Sequence, residues 1–330
     1  LIQSTVRDNR VWDDNDYGIG GGILNRGTLR VERSTLSGNG TPGGPGGALA
    51  NLQGGSVEVI NSTLSGNRSG SGGGLANGSQ SEEPGTVVLL HATLANNSGG
   101  GLYNRGVTTV TNTIIAGNPL DVNESPSALN CVNDGVFVSL GANVIGDGGN
   151  CPTNGLGDLT IDNTTVFTTL LQPLADNGGN TLTHALVPAS VANEAANDAT
   201  CADGRVGGVD QRGVVRPQGA HCDIGAYEAA VATACTYPEL VASDETTLRQ
   251  AILCVNTAPA GVYTLTVTAD IAYSQPMLTL SNPAVTQLRF AGNGHTLDAQ
   301  GQGRVLTLNN LQALTLHNLT LTGGQTDDNS

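Results

Sequence analysis

The chain of 330 residues contains no lysine, one methionine and few aromatic residues. Its 13 basic residues are all arginines and stand against 28 acidic residues, which gives a formal net charge of −15. Nucleic-acid-binding proteins need clustered Lys and Arg to neutralise phosphates, so this composition argues against one. No run approaches the ~18 apolar residues of a membrane span, so we expect no span in this chain.

Glycine, by contrast, is abundant, with 47 residues, and it marks a repeated unit in the first third of the chain. Each unit opens with a glycine run followed by an inner asparagine, and it ends in a segment such as Ser-Thr-Leu-Ser-Gly-Asn. The inner asparagines step by 26, 26 and 27 residues and are Asn25, Asn51, Asn77 and Asn104. The closing asparagines step by 30, 28, 29 and 22 residues and are Asn9, Asn39, Asn67, Asn96 and Asn118.

Each unit also holds strand-like segments of three to five residues, such as 28–31 and 34–36. Short strands at this period are typical of a parallel β-solenoid, in which stacked coils bury the apolar side that one coil leaves exposed. Glycine runs suit tight corners with positive φ. Asparagines at equal coil positions can hydrogen-bond as a ladder. The sequence therefore predicts an all-β solenoid in which the asparagines are structural.

The six cysteines form three pairs that are close in sequence, and none has the Cys-x-x-Cys spacing of zinc or thioredoxin sites. Several connectivities are open to six cysteines. Nearest-neighbour pairing would close loops of about 20 residues, each contributing about 3 kcal/mol. We predict three structural disulfides and hence a location outside the cytosol. The pairs are Cys131 with Cys151, Cys201 with Cys222, and Cys235 with Cys254.

The repeat loosens between residues 120 and 229, where we expect a loop-rich stretch. Ser243 then precedes two acidic residues and an apolar stripe through Leu248 and Ile252, a pattern that predicts a short helix with Ser243 as its N-cap. Solenoids need a cap at an exposed end, so this segment is predicted to be a capping helix. Strand-like sequence resumes after it.

Two motifs between residues 120 and 229 resemble a known family. Residues 210–213 (Asp-Gln-Arg-Gly) and 222–228 (Cys-Asp-Ile-Gly-Ala-Tyr-Glu) resemble the closing signature of bacterial choice-of-anchor Q surface proteins. The coils of the first third also look like polymorphic outer-membrane-protein repeats. The resemblance implies a right-handed parallel β-helix at a cell surface, in a family whose members mostly have no assigned chemistry.

Residues 248–252, 292–298 and 318–324 resemble the opening of the same family, so its order is permuted in this chain. We divide the chain into 1–230, the later part of one module, and 231–330, the helix cap and first coils of the next. A window from a tandem array and one subunit of a head-to-tail assembly would both show this order. A direct join of the two termini would be about ten residues short of a coil. Open coils at both ends are expected to recruit neighbours.

Carbohydrate processing is the main enzymatic alternative, because parallel β-helices often carry lyases and hydrolases. Such a site needs either two carboxylates at a fixed separation or a metal together with an arginine. Asp210, Arg212 and Asp223 are charged and close in sequence. They would form either such a site or a buried ion-pair network that locks the closing segment, and we expect the network. The five histidines share no ligand spacing and are interpreted as scattered surface or coil positions.

An acidic turn near the start of the chain offers the oxygen ligands that calcium prefers. Asp13, Asp14 and Asp16 lie within four positions, but their spacing is not that of an EF-hand loop. A solvated turn and a calcium site are both open for this segment, and no other cofactor is expected.

Together these features predict a bacterial, non-enzymatic, extracellular protein at the cell surface, structural or adhesive, whose solenoid stacks end to end in a fibre, stalk or surface layer. Its partners would be copies or tandem modules of itself, with surface glycans as a further candidate. The alternative is a β-helix protein that binds or cleaves polysaccharide.

Overall fold

The computed structural model describes residues 1–11, 18–119, 130–188, 190–230, 235–273, 277 and 279–325. The chain divides into two compact units, Leu1–Ala229 and Ala230–Ser330. Both units consist mainly of short parallel strands stacked coil upon coil, so the predicted all-β solenoid is confirmed. Within the described ranges, no helix is long and apolar enough to cross a membrane.

Successive coils of the first unit contribute strands to three parallel sheets. Sheet 1 has seven strands, in the order Thr5–Arg7, Thr35–Ser37, Thr63–Ser65, Thr93–Ala95, Ile114–Ile115, Val144–Gly146 and Leu159–Ile161. Sheet 2 has five strands, which are Ile23–Asn25, Leu49–Asn51, Leu75–Asn77, Leu102–Asn104 and Cys131–Asn133. Sheet 3 has five strands, which are Thr28–Glu32, Ser56–Ile60, Thr86–Leu90, Val107–Thr111 and Val136–Ser139. A small parallel pair joins Gly40–Pro45 to Arg68–Ser71.

The core of this unit consists of apolar residues stacked in register from one coil to the next. In sheet 1, Leu36, Leu64 and Leu94 pair directly and are fully buried. Sheet 2 repeats the arrangement with Leu49 and Leu75. Each buried leucine contributes roughly 1.5–3 kcal/mol relative to exposure, so each coil is stabilised by the coils that cover it.

The coils turn at corners with left-handed backbone. One corner, before six of the seven strands of sheet 1, has φ between 45° and 53°, at Gln3, Arg33, Asn61, His91, Asn112 and Ala142. The corner after that strand has φ between 58° and 71° at Asp8, Gly38, Gly66, Asn96 and Gly117. Glycine adopts this conformation most readily, and among other residues Asn, Asp and His are the most frequent there. Asn96 is therefore a corner residue, and our assignment of Asn96 to the closing asparagines is wrong, because Asn97 takes that place.

The solenoid also extends further than the sequence indicated. The stretch after residue 120, expected to be loop-rich, still contributes four strands up to Ile161. Val144 continues the stack of Ile114 after 30 residues, but Leu159 pairs with Val144 after only 15. Because this last spacing is only half of the usual one, a constant sequence period does not predict the final coil.

After Ile161 the chain forms an irregular segment, residues 162–229, which we call the strap. It contains two four-residue helices, Val166–Thr169 and Asp198–Cys201, which the sequence did not predict. It also contains an antiparallel pair, Leu171–Ala175 with Thr183–Leu186.

The second unit is a shorter solenoid with a helix, Glu245–Thr257. Its N-cap is Asp244 rather than the predicted Ser243, because the Asp244 carboxylate accepts from the Thr247 amide at 2.8 Å while the Thr247 hydroxyl accepts from the Asp244 amide at 3.0 Å. Leu248, Ile252 and Val255 are fully buried in the core of this unit. Its strands are Glu239–Ala242, Gly261–Val267, Ile271–Ala272, Thr279–Leu280, Val285–Ala291, Thr296–Asp298, Thr307–Leu308, Leu314–His317 and Thr320–Thr322.

Candidate functional site

The strap lies along the solenoid and contacts several coils in turn. The Thr35 hydroxyl donates to the Leu182 carbonyl at 2.6 Å, and the Asn61 amide donates to the Val206 carbonyl at 3.1 Å. Two coils beyond Asn61, the Asn112 carbonyl accepts from the amide of Gly225 at 2.9 Å. The strap therefore ties successive coils together.

Gln211 is the side chain that joins the strap to two coils at once. Thr35 and Thr63 are paired in register in sheet 1, and both are fully buried. The Gln211 Nε2 donates to the Thr35 hydroxyl at 2.8 Å, and its Oε1 accepts from the Thr63 hydroxyl at 2.7 Å. Gln211 was absent from the predicted site residues. The signal that could have identified Gln211 is its position between Asp210 and Arg212, two predicted network residues.

The predicted closing network exists as two ion pairs rather than one triad. Arg212 pairs with Asp210 at 2.7 Å, while Arg216 pairs with Glu228 at 2.7 Å, and the side chains of this second pair are fully buried. Asp223 instead accepts from two backbone amides, those of Glu194 at 2.7 Å and Ala229 at 2.5 Å. Arg216 and Glu228 were not among the predicted network residues.

Burial and the repulsion of neighbouring carboxylates disfavour ionisation of Asp223 and Glu228. Burial, followed by the nearby Glu228 charge, raises the pKa of Asp223 to about 7. Burial also raises the pKa of Glu228, although Arg216 opposes the shift. The arrangement consists of paired charges held by backbone groups, which is suited to locking the strap.

Two histidines are also part of this interface. His91 is a coil position, as expected, whereas His184 belongs to the strap and is buried, so its interpretation as a surface or coil position is wrong. His184 is 2% exposed, and its ring nitrogens contact the Ser65 hydroxyl at 2.8 Å and the Gln172 carbonyl at 2.7 Å. His91 is fully buried. Burial lowers the pKa of both imidazoles, and the charge of Arg216 lowers that of His91 further. Both rings are therefore neutral at neutral pH.

The three predicted cysteine pairs all lie at disulfide distance. The Cα atoms are 5.6 Å apart in Cys131–Cys151, 6.6 Å apart in Cys201–Cys222 and 5.6 Å apart in Cys235–Cys254. These separations fall in the range of bonded cysteines. The first pair fastens the last strand of sheet 2, the second closes a loop of the strap, and the third attaches the helix of the second unit.

The asparagines form two continuous hydrogen-bond ladders. In the closing ladder, Asn39 Nδ2 donates to Asn67 Oδ1 at 3.0 Å, and Asn67 Nδ2 donates to Asn97 Oδ1 at 2.9 Å. Its members are Asn9, Asn39, Asn67, Asn97, Asn118 and Asn130. The inner ladder has the same form, and its members are Asn25, Asn51, Asn77, Asn104 and Asn133.

Both ladders have the same direction, because each side-chain amide donates to the asparagine of the following coil. The first coil therefore presents an acceptor: within the part of the chain that the structure describes, nothing donates to Asn9 Oδ1. At the other end of the closing ladder, Asn130 Nδ2 donates to the Asp147 carbonyl at 2.8 Å. The ladder thus has a defined start and end.

The outermost coils of the two units leave apolar core positions exposed. In the first unit, Ile23 is only half-buried, whereas Leu49, its partner in the next coil, is fully buried. In the second unit, Leu321 is 39% exposed, whereas its partner Leu297 is fully buried. Each unit therefore has one coil whose core side lacks a covering coil within the described residues.

The proposed calcium ligands Asp13, Asp14 and Asp16 lie outside the described residues. Among the described residues, the three side chains whose metal-binding atoms converge are Asp198, Cys201 and Cys222.

No family model, curated protein or solved structure matches this chain significantly. The function of the protein is therefore inferred from its fold and from the contacts that its residues make.

Proposed function

We propose that this protein is a non-enzymatic, extracellular structural or adhesive β-solenoid whose outermost coils stack end to end, with other copies or with tandem modules of itself. The observation that carries the proposal is the pair of uncovered coils, one in each unit. Ile2 and Leu24 are exposed in the first unit, and Leu316 and Leu321 are exposed in the second. Burying such side chains against another coil is the favourable interaction that holds every inner coil.

The direction of the asparagine ladders supports stacking of one end on the other. An incoming coil that follows the same pattern would donate to Asn9 Oδ1, as Asn9 itself donates to Asn39 at 2.9 Å. Two first coils facing one another would bring acceptors together. Head-to-tail contacts of this kind generate open filaments unless the geometry closes into a ring.

The three cysteine pairs support an extracellular location, since disulfides persist in oxidising compartments. The formal net charge of −15 favours solubility of the protein.

The polysaccharide alternative has less support from the geometry. The carboxylates proposed from the sequence, Asp210 and Asp223, are both buried. Asp210 accepts a hydrogen bond from Arg212, and Asp223 accepts from backbone amides. This arrangement favours a locking role over attack on a sugar. Surface glycans remain candidate partners in an adhesive role.

Concentration-dependent assembly tests the proposal. We expect sedimentation velocity to show particles whose size increases with concentration, and negative-stain images to show rods that lengthen with concentration.

Leu321→Asp and Ile23→Asp should each abolish growth, because they place a charge on an uncovered coil. Val191→Asp is the matched control, because Val191 is 51% exposed in the strap and belongs to neither outer coil. A wild-type protein that stays monomeric at every concentration, or assembly that survives Leu321→Asp, would refute the stacking.

A further inference from the structure

One of the three cysteine pairs lies among other potential metal ligands. The ligand atoms of Asp198, Cys201 and Cys222 all lie within 4.8 Å of one another. His91, from the corner of a solenoid coil, places its Nε2 3.4 Å from Cys201 Sγ. Neither of the other two cysteine pairs belongs to such a group within the described ranges.

The separation of Cys201 and His91 fits a tetrahedral ion, but the group whose ligand atoms all lie within 4.8 Å of one another does not include His91, so its ring must move toward Asp198 and Cys222 to complete the site. With Zn–S near 2.3 Å and Zn–N near 2.0 Å, tetrahedral angles place sulfur and nitrogen ligands about 3.5 Å apart, close to the observed separation of Cys201 and His91. Two sulfur ligands would lie about 3.8 Å apart, so opening the disulfide requires only a small movement of the sulfur atoms. Thiolate, imidazole and carboxylate are ligands that zinc accepts.

The surroundings also supply the supporting hydrogen bonds of a metal site. One carboxylate oxygen of Asp198 accepts a hydrogen bond from the Cys222 amide at 3.0 Å. The other oxygen contacts His221 Nδ1 at 2.7 Å. Partners of this kind orient ligating carboxylates. Asn112 Nδ2 contacts His91 Nε2 at 2.8 Å but also donates to the Asn197 carbonyl at 3.1 Å, so it keeps a partner when the imidazole turns to a metal.

We propose that the dithiol form of this protein binds one Zn²⁺ through Cys201, Cys222, His91 and Asp198. The metal would close the strap loop between Cys201 and Cys222, as the disulfide does in the oxidised protein, and would also join that loop to a coil of the solenoid through His91. This proposal is independent of end-to-end stacking.

The chemistry balances with a phosphine as reductant. The phosphine gives two electrons to the disulfide, the S–S bond breaks, and water supplies the oxygen of the phosphine oxide and the two protons of the thiols. Binding of Zn²⁺ then forms two Zn–S bonds and releases two protons, because the ligands are thiolates.

The experiment uses the whole chain, reduced with a phosphine without oxygen, and titrated with Zn²⁺ or with Co²⁺ as its visible probe. We expect one zinc per reduced chain and the absorption bands of tetrahedral, thiolate-ligated Co²⁺. The Cys201→Ser/Cys222→Ser variant should lose both, whereas Cys131→Ser/Cys151→Ser should keep both. The sequence separations of these two pairs, 21 and 20 residues, make them a matched comparison.

Single ligand variants test the remaining assignments. Asp198→Asn and His91→Asn should each weaken zinc binding at least about tenfold; asparagine suits position 91 because Asn61 and Asn112 occupy the same corner. If reduction lowers the melting temperature, zinc should raise it again in the wild type and not in Cys201→Ser/Cys222→Ser. Failure of the reduced wild type to bind zinc, equal binding by Cys201→Ser/Cys222→Ser, or unchanged affinity in both ligand variants would overturn the proposal.

Discussion

Arg216 and Glu228 form an ion pair of 2.7 Å in which neither side chain is exposed to solvent. The guanidinium also donates to the carbonyls of Asp223 and Gly225, at 2.9 and 2.6 Å. The pair therefore anchors both ends of the segment that closes the strap. Because both charges are removed from water, each depends on the other.

Glu228→Gln is expected to destabilise the first unit strongly, because it leaves the Arg216 charge buried without its counter-ion. Loss of one partner from a buried pair costs about 3–5 kcal/mol. The control is Glu82→Gln, which removes a partner of Arg26 at 3.0 Å in a pair with 43% and 21% side-chain exposure. Such a pair contributes about 0–1 kcal/mol. Urea unfolding followed by circular dichroism measures both, and equal losses would contradict this account of the pair.

Asp223 should make stability depend on pH. Its pKa is raised to about 7 in the folded protein and is about 3.9 in an unfolded chain. Between these values the folded state binds the extra proton, so the free energy of unfolding contributed by this group falls as pH rises from about 4 to about 7. The upper bound of the loss is about 4 kcal/mol.

The measurement compares the wild type with Asp223→Asn across that pH range. His91 and His184 titrate with lowered pKa values and act in the opposite direction up to about pH 6.5. Taking the difference between the two proteins cancels these histidine contributions. The wild type should lose stability relative to Asp223→Asn as pH rises, and a constant difference would rule out titration of Asp223 in this window.

The solenoid was predictable because its signals are local and repeated, whereas the strap was not. Glycine corners, β-branched strands and asparagines recur at a nearly constant period, so each coil supports the same interpretation. Gln211 contacts Thr63 across 148 positions of sequence, and His184 contacts Ser65 across 119. Such contacts depend on where the strap returns along the coils, which no local pattern specifies. Asn130 escaped notice for a related reason, since it follows Asn118 after only 12 residues.

Gln211→Leu should loosen the strap while leaving the coils intact. The substitution removes the amide that bonds the buried hydroxyls of Thr35 and Thr63, and an unsatisfied buried group costs about 1–3 kcal/mol. Amide hydrogen exchange should become faster in the strap, including the Arg216 amide, but not within sheets 2 and 3. Gln218→Leu is the control, because Gln218 is only half-buried and its side chain donates to the Val215 carbonyl within the strap. Unchanged protection of the strap in Gln211→Leu would show that the amide does not hold it.

Asn67 and Asn96 test whether the ladder, rather than asparagine itself, stabilises the coils. Asn67 is buried, accepts from the Asn39 backbone amide at 3.0 Å, and donates to the Leu36 carbonyl at 2.9 Å. Asn67→Ala leaves several of these groups without partners and should cost more than about 3 kcal/mol. Asn96 is exposed at a corner with φ of 58°, where Gly66 serves the preceding coil. Asn96→Gly should therefore change the free energy of unfolding by less than about 1 kcal/mol. Denaturant unfolding of the two variants decides the matter, since comparable losses would mean that the ladder bonds add nothing to the stack.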